Sequence, residues 1–141
     1  MTKELLLFRY MERSKSKVLI IDDDATYLEE TSALLEEAGY QVQTCQNVSQ
    51  SLRRMREYQP DCLLLDVKMP DLDGKRLLPW IRRQCPHLAV IICTGLEKVE
   101  DWYFSMFGVR QILYKPFTHD NLFRAIDHAV ELQSQPKPAA G

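Results

Sequence analysis

Cys62-Leu63-Leu64-Leu65-Asp66 decides the fold: four apolar residues without a break, then an acid. A strand with one wet face alternates, whereas an unbroken apolar run of this length suits a strand covered on both faces, as in a largely parallel sheet between layers of helix. The same signature occurs at Val18-Leu19-Ile20-Ile21, which runs into Asp22-Asp23-Asp24, and at Leu88 to Cys93, which runs into Thr94. Gln41 to Cys45 alternates like a strand with one solvated face. Gln111 to Tyr114 reads as a short fifth strand, followed by Lys115-Pro116.

Helical spacing fills the intervals. Leu28, Leu34, Leu35 and Ala38 precede a stop at Gly39, and Val48, Leu52 and Met55 precede Pro60. Leu77, Leu78 and Ile81 predict a helix over 74–84, in which Pro79 removes one backbone hydrogen bond unless it falls in the first turn. A fourth helix is predicted over 97–107, and a fifth is capped by Thr118 and runs to about residue 132. Met69-Pro70-Asp71-Leu72-Asp73-Gly74 is dense in turn formers. Five strands alternating with five helices predict an α/β domain over 17–132. Residues 1–16 read as an extension outside the core with one helical turn, and 133–141 as a tail or the start of a linker.

Bulk properties narrow the function. The chain has 141 residues, 45% hydrophobic and 27% charged, with a formal net charge of −2. Charge alone therefore argues against direct nucleic-acid binding. Cys45, Cys62, Cys85 and Cys93 lack metal-site spacing and suit a reducing cytoplasm. Leu5-Leu6-Leu7-Phe8 is too short for a membrane span.

The chemistry-bearing residues fall at strand ends: Asp22 and Asp23 after the first, Asp66 after the third, Thr94 after the fourth, Lys115 after the fifth. In a doubly wound sheet of order 2-1-3-4-5, the first and third strands are neighbours across the point where the order reverses, and ligands bind beyond the carboxyl ends there. Asp22, Asp23 and Asp66 should then converge. Two like charges about 4 Å apart repel by roughly 4 kcal/mol at an effective dielectric near 20, so either a carboxyl is held neutral or a cation binds. Hard carboxylate oxygens favour Mg²⁺. With the Lys115 ammonium and the Thr94 hydroxyl beside it, such a site suits a phosphoryl group carried on Asp66. Asp24 reads as the cap of the first helix.

These stretches, with Asp66-Val67-Lys68-Met69-Pro70, Asp73-Gly74, Cys93-Thr94-Gly95 and Tyr114-Lys115-Pro116-Phe117, resemble the receiver domains of two-component response regulators over about residues 17–132. The resemblance implies a flavodoxin-like (βα)5 fold. It implies a phosphoprotein switch, not an enzyme on a separate substrate, that takes phosphate from a sensor histidine kinase or phosphotransfer protein and then controls a downstream protein or a fused output domain. By position, Asp22 and Asp23 resemble the Mg²⁺-binding acids, Asp66 the phosphoacceptor, and Lys68 the residue whose backbone carbonyl ligates the metal. Thr94 resembles the switch hydroxyl, Lys115 the phosphate-binding lysine, and Pro116 the proline that follows a cis peptide bond. The chain departs from the pattern twice: Ile112 stands where the switch residue is often Phe or Tyr, and the segment from Thr94 to Lys115 is about one residue short.

Trp102, Tyr103, Phe104, Met106 and Phe107 crowd the fourth predicted helix. Some must enter the core, and the remainder are candidates for a homodimer or partner surface on the face of the fourth helix, fifth strand and fifth helix. Rival readings are a degenerate receiver acting as a constitutive binding module, a flavin-binding protein, which the acids at the first strand's end disfavour, and an enzyme. Asp22-x-Asp24-x-Thr26 also resembles the nucleophile motif of haloacid-dehalogenase-like phosphatases, in which Asp24 would be the general acid.

Overall fold

The computed structural model describes residues 1–68 and 74–134, apart from the side chains of 74, 75 and 132–134. The turn read at Met69 to Asp73 and the tail beyond residue 134 lie outside the described residues. Eleven elements follow in order: α1 (Lys3–Arg13), β1 (Lys17–Ile21), α2 (Ala25–Glu37), β2 (Gln41–Cys45), α3 (Val48–Tyr58), β3 (Cys62–Leu65), α4 (Gly74–Gln84), β4 (Ala89–Thr94), α5 (Asp101–Met106), β5 (Val109–Tyr114) and α6 (His119–Ser134). The five strands form one parallel sheet in the order β2-β1-β3-β4-β5. This is the flavodoxin-like arrangement.

Alternate residues of the central strands feed two cores. Leu19, Ile21, Leu63, Leu65, Val90 and Ile92 face Met55 of α3, Leu78 and Ile81 of α4, and Phe104 of α5. Val18, Ile20, Cys62, Leu64, Ile91 and Cys93 face Leu28 and Leu35 of α2, with Leu122 and Ile126 of α6. Strands covered on both sides need the unbroken apolar runs the sequence shows. Asp24 caps α2 by accepting from the Tyr27 amide at 3.1 Å, and Thr118 caps α6 by accepting from the Asn121 amide at 3.1 Å. Pro79 lies inside α4, which continues past it to Gln84.

Two elements differ from the sequence expectation. The predicted single turn in 1–16 is an 11-residue helix, α1, with none of its residues buried. It is held from its last turn. The Arg13 guanidinium donates to Asp127 at 3.0 Å and lies 5.2 and 5.1 Å from the ring centroids of Tyr40 and Phe123, while the Tyr40 hydroxyl donates to the same carboxylate. Gly39, at φ +114°, brings the α2–β2 corner so close that an added Cβ would meet the Tyr10 carbonyl oxygen at 2.8 Å. The helix expected over 97–107 is shortened to the six residues of α5. Its carboxyl end hangs on Arg82 of α4, which donates to the carbonyls of Phe107, of Leu88 (2.7 Å), and of Pro86 and Gly108 (both 3.3 Å).

No helix among the described residues is long and apolar enough to cross a membrane.

Candidate functional site

Register assembles the site. Ile21 pairs with Leu65, and one residue further the Asp66 amide donates to the Ile21 carbonyl at 3.0 Å, so the ladder between β1 and β3 carries Asp66 alongside Asp22. On the other side Thr94 pairs with Tyr114, and the Lys115 amide donates to the Thr94 carbonyl at 2.7 Å. Backbone hydrogen bonds thus extend both ladders past the strand ends into the site itself.

The side chains converge as the strand ends predict. Carboxylate oxygens of Asp22, Asp23 and Asp66 lie within 4.8 Å of one another. Asp22 is 1% exposed and Asp66 7%, whereas Asp23 faces solvent. Lys115 Nζ donates to Asp22 Oδ2 at 2.6 Å and stands 3.9 Å from Asp66 Oδ2. Asp66 Oδ1 accepts from the Lys68 amide at 3.0 Å, and Asp22 Oδ1 accepts from the Asp24 amide at 3.0 Å. Burial holds the Asp66 carboxyl above the ordinary carboxylate range; the Lys68 amide and the Lys115 ammonium pull it down, and Asp22 and Asp23 push it up again. Three carboxylates meet, two of them facing the Lys115 ammonium, and their free oxygens are hard donors. That set fits a divalent cation such as Mg²⁺.

Thr94 is fully buried at the end of β4, its hydroxyl accepting from the Leu96 amide at 3.2 Å. The Lys115–Pro116 bond is cis. Ile112 is half-buried and packs on the core beside α5. The aromatic cluster divides: Phe104, 3% exposed, is a core residue and is withdrawn from any partner surface, and Tyr103 and Phe107 pack against the same core. Trp102 and Met106 stand out at 65% and 69% exposure. Trp102 also lines a cavity of about 580 Å³ with Val67, Leu96, Val99 and Phe104. The phosphatase reading loses its general acid, since the Asp24 carboxylate caps α2.

Sequence reasoning missed Tyr27. Its ring lies under the Lys115 ammonium, with Nζ 3.9 Å from the centroid. No local signal marked it, because the contact joins residues 88 positions apart.

Residues 18–127 match the family of the response regulator receiver domain. The chain is a member of that family. It is 32% identical over 127 residues to the transcriptional regulatory protein GlrR of Escherichia coli (strain K12), an alignment covering 89% of this chain and 28% of GlrR. The chain therefore spans little more than a quarter of that relative's length. Among solved structures it resembles a CheY-like receiver domain protein from Methanospirillum hungatei JF-1, at 27% identity and TM-score 0.79, covering 84% of this chain and 95% of the other. It also resembles the beryllofluoride-activated NtrC4 receiver domain dimer, at 32% identity and TM-score 0.77, covering 84% and 98% respectively. As a receiver domain of a two-component response regulator, the chain is built as a phospho-signalling switch.

Proposed function

We propose that the chain accepts a phosphoryl group on Asp66, with Mg²⁺ held by Asp22, Asp23, Asp66 and the Lys68 backbone carbonyl, from a sensor histidine kinase or phosphotransfer protein in the cytoplasm. The observation that carries this reading is the meeting of three carboxylates within 4.8 Å, two of them, Asp22 and Asp66, also facing the Lys115 ammonium. The cation supplies charge neutralisation for the phosphoryl oxygens when bound. Asp66 is the nucleophile: a bond forms between its carboxylate oxygen and phosphorus as the donor's P–N bond breaks, and the imidazole leaving group keeps the electron pair and takes a proton. Lys115 holds one phosphoryl oxygen and Thr94 donates its hydroxyl to another. Attack by water later returns inorganic phosphate and the free carboxylate.

The acyl phosphate carries about 1.5 to 2 negative charges where the free carboxylate carried one, and it spreads them over three acceptor oxygens in a confined site. Thr94 then moves toward the new oxygens, drawing residues 95–100 with it, and the face of α5, β5 and α6 repacks. Ile112 cannot report this by turning a ring, so α5 itself carries the signal. Exposed Trp102 and Met106 make that face the surface for a second copy, a downstream protein or a fused output domain.

Incubation with acetyl phosphate and Mg²⁺, then borohydride reduction and mass mapping, should place the label on Asp66 alone. Asp66→Asn or removal of Mg²⁺ should abolish incorporation. A label on Asp22 would favour the phosphatase reading.

A further inference from the structure

Lys115 is gripped in a way that its proposed task would undo. Its ammonium is anchored by Asp22 at 2.6 Å, yet Asp22 is one of the carboxylates a divalent cation would take up. Losing that anchor would leave a long side chain free to wander from Asp66, 3.9 Å away. The ring of Tyr27 is the neighbour a cation does not claim. Its centroid is 3.9 Å from Nζ, well inside the limit of about 6 Å for attraction between an ammonium and a π face. A ring face also holds the ammonium without occupying Asp66 or its oxygens.

Tyr27 sits in the first turn of α2, half-buried against the core shared with α6 and fixed by that packing. Its hydroxyl is buried near Thr31 and Cys93, and it is the ring face that meets the ammonium.

We infer that Tyr27 is a positioning residue: its π face keeps the Lys115 ammonium aimed at Asp66 when the metal withdraws Asp22. The inference rests on the reading of Asp66 as phosphoacceptor, and it concerns the rate of transfer, not the site of attachment. Tyr27 touches no reacting atom. It acts through Lys115.

The test compares wild type, Tyr27→Leu, Tyr27→Met and Tyr27→Phe in initial phosphorylation rate with acetyl phosphate at saturating Mg²⁺, alongside side-chain NMR of Lys115. The Leu and Met variants should be about threefold to tenfold slower, the range a partly desolvated ammonium–ring contact can supply. Tyr27→Phe should restore the rate to within about twofold. The Lys115 Hε resonances should be displaced upfield by the ring in wild type and Tyr27→Phe, and should return to ordinary positions in the aliphatic variants; a residue that merely fills space would not produce that signature. Two aliphatic variants keep the comparison open should one fold poorly. Aliphatic variants that react at the wild-type rate, or a Phe variant as slow as Leu, overturn the inference. Wild type that takes up no phosphate overturns the phosphoacceptor reading instead, while the Lys115 resonances still decide whether ring and ammonium meet.

Discussion

At the scale of single residues, the proposed acceptor works against the stability of the fold that presents it. Asp66 is buried beside Asp22 and Asp23, and its carboxyl is held above the usual range chiefly by desolvation. Ionised at neutral pH, it costs folding free energy that the Lys68 amide and Lys115 offset only in part. Asp66→Asn keeps the shape and discards the charge. In metal-free buffer its melting temperature should therefore exceed that of wild type by about 2–5 °C, and added Mg²⁺ should raise wild type much more than the variant. Equal melting curves without metal would mean that the carboxylates do not strain the native state. Asp22, Asp66, Thr94 and Lys115 were legible in the sequence because each ends its strand or follows it directly, so locating the strand locates the side chain. Tyr27 was not, because its meeting with Lys115 spans most of the chain and leaves no local pattern.

At the scale of elements, α1 shows how one side chain can seat a helix that buries nothing. Arg13 lies over the adjacent rings of Tyr40 and Phe123 and pairs with Asp127, joining α1 to the α2–β2 corner and to α6. Arg13→Ala should lower stability by about 1–2 kcal/mol, through lost packing as much as lost charge, and should speed hydrogen exchange along the whole of α1. Slow exchange in α1 of the variant would show that other contacts seat it. Only a single turn of this helix was expected, since Leu5, Leu6, Leu7, Phe8, Tyr10 and Met11 follow no single face. The central strands were plain because burial on both faces demands unbroken apolar runs. The helix expected over 97–107 came out shorter because Leu96 and Val99 reach the core from irregular backbone, which mimics helical spacing.

At the scale of the whole molecule, the double-sided sheet sorts its thiols by depth. Cys45, Cys62 and Cys93 are buried and only Cys85 is partly exposed. Burial pushes Cys62 upward and Cys93 up to about 12; Cys85 is also raised by burial, with Arg82 pulling it back. Ellman's reagent at pH 8 should modify one thiol in the folded protein and four after unfolding, and Cys85→Ser should remove the early one. Prompt reaction of a second thiol would mean that the sheet opens readily. The hold of Arg82 on α5 bears on motion at this same scale. The guanidinium ties the carbonyls of Phe107 and Gly108, the link from α5 to β5, to α4 and to the turn before β4, while residues 95–100 on the Thr94 side form no regular element. A short rod held at its far end and free at its near one can only tilt, so any displacement at the buried hydroxyl would reach the indole on its first turn as a swing, not as a slide of the whole helix.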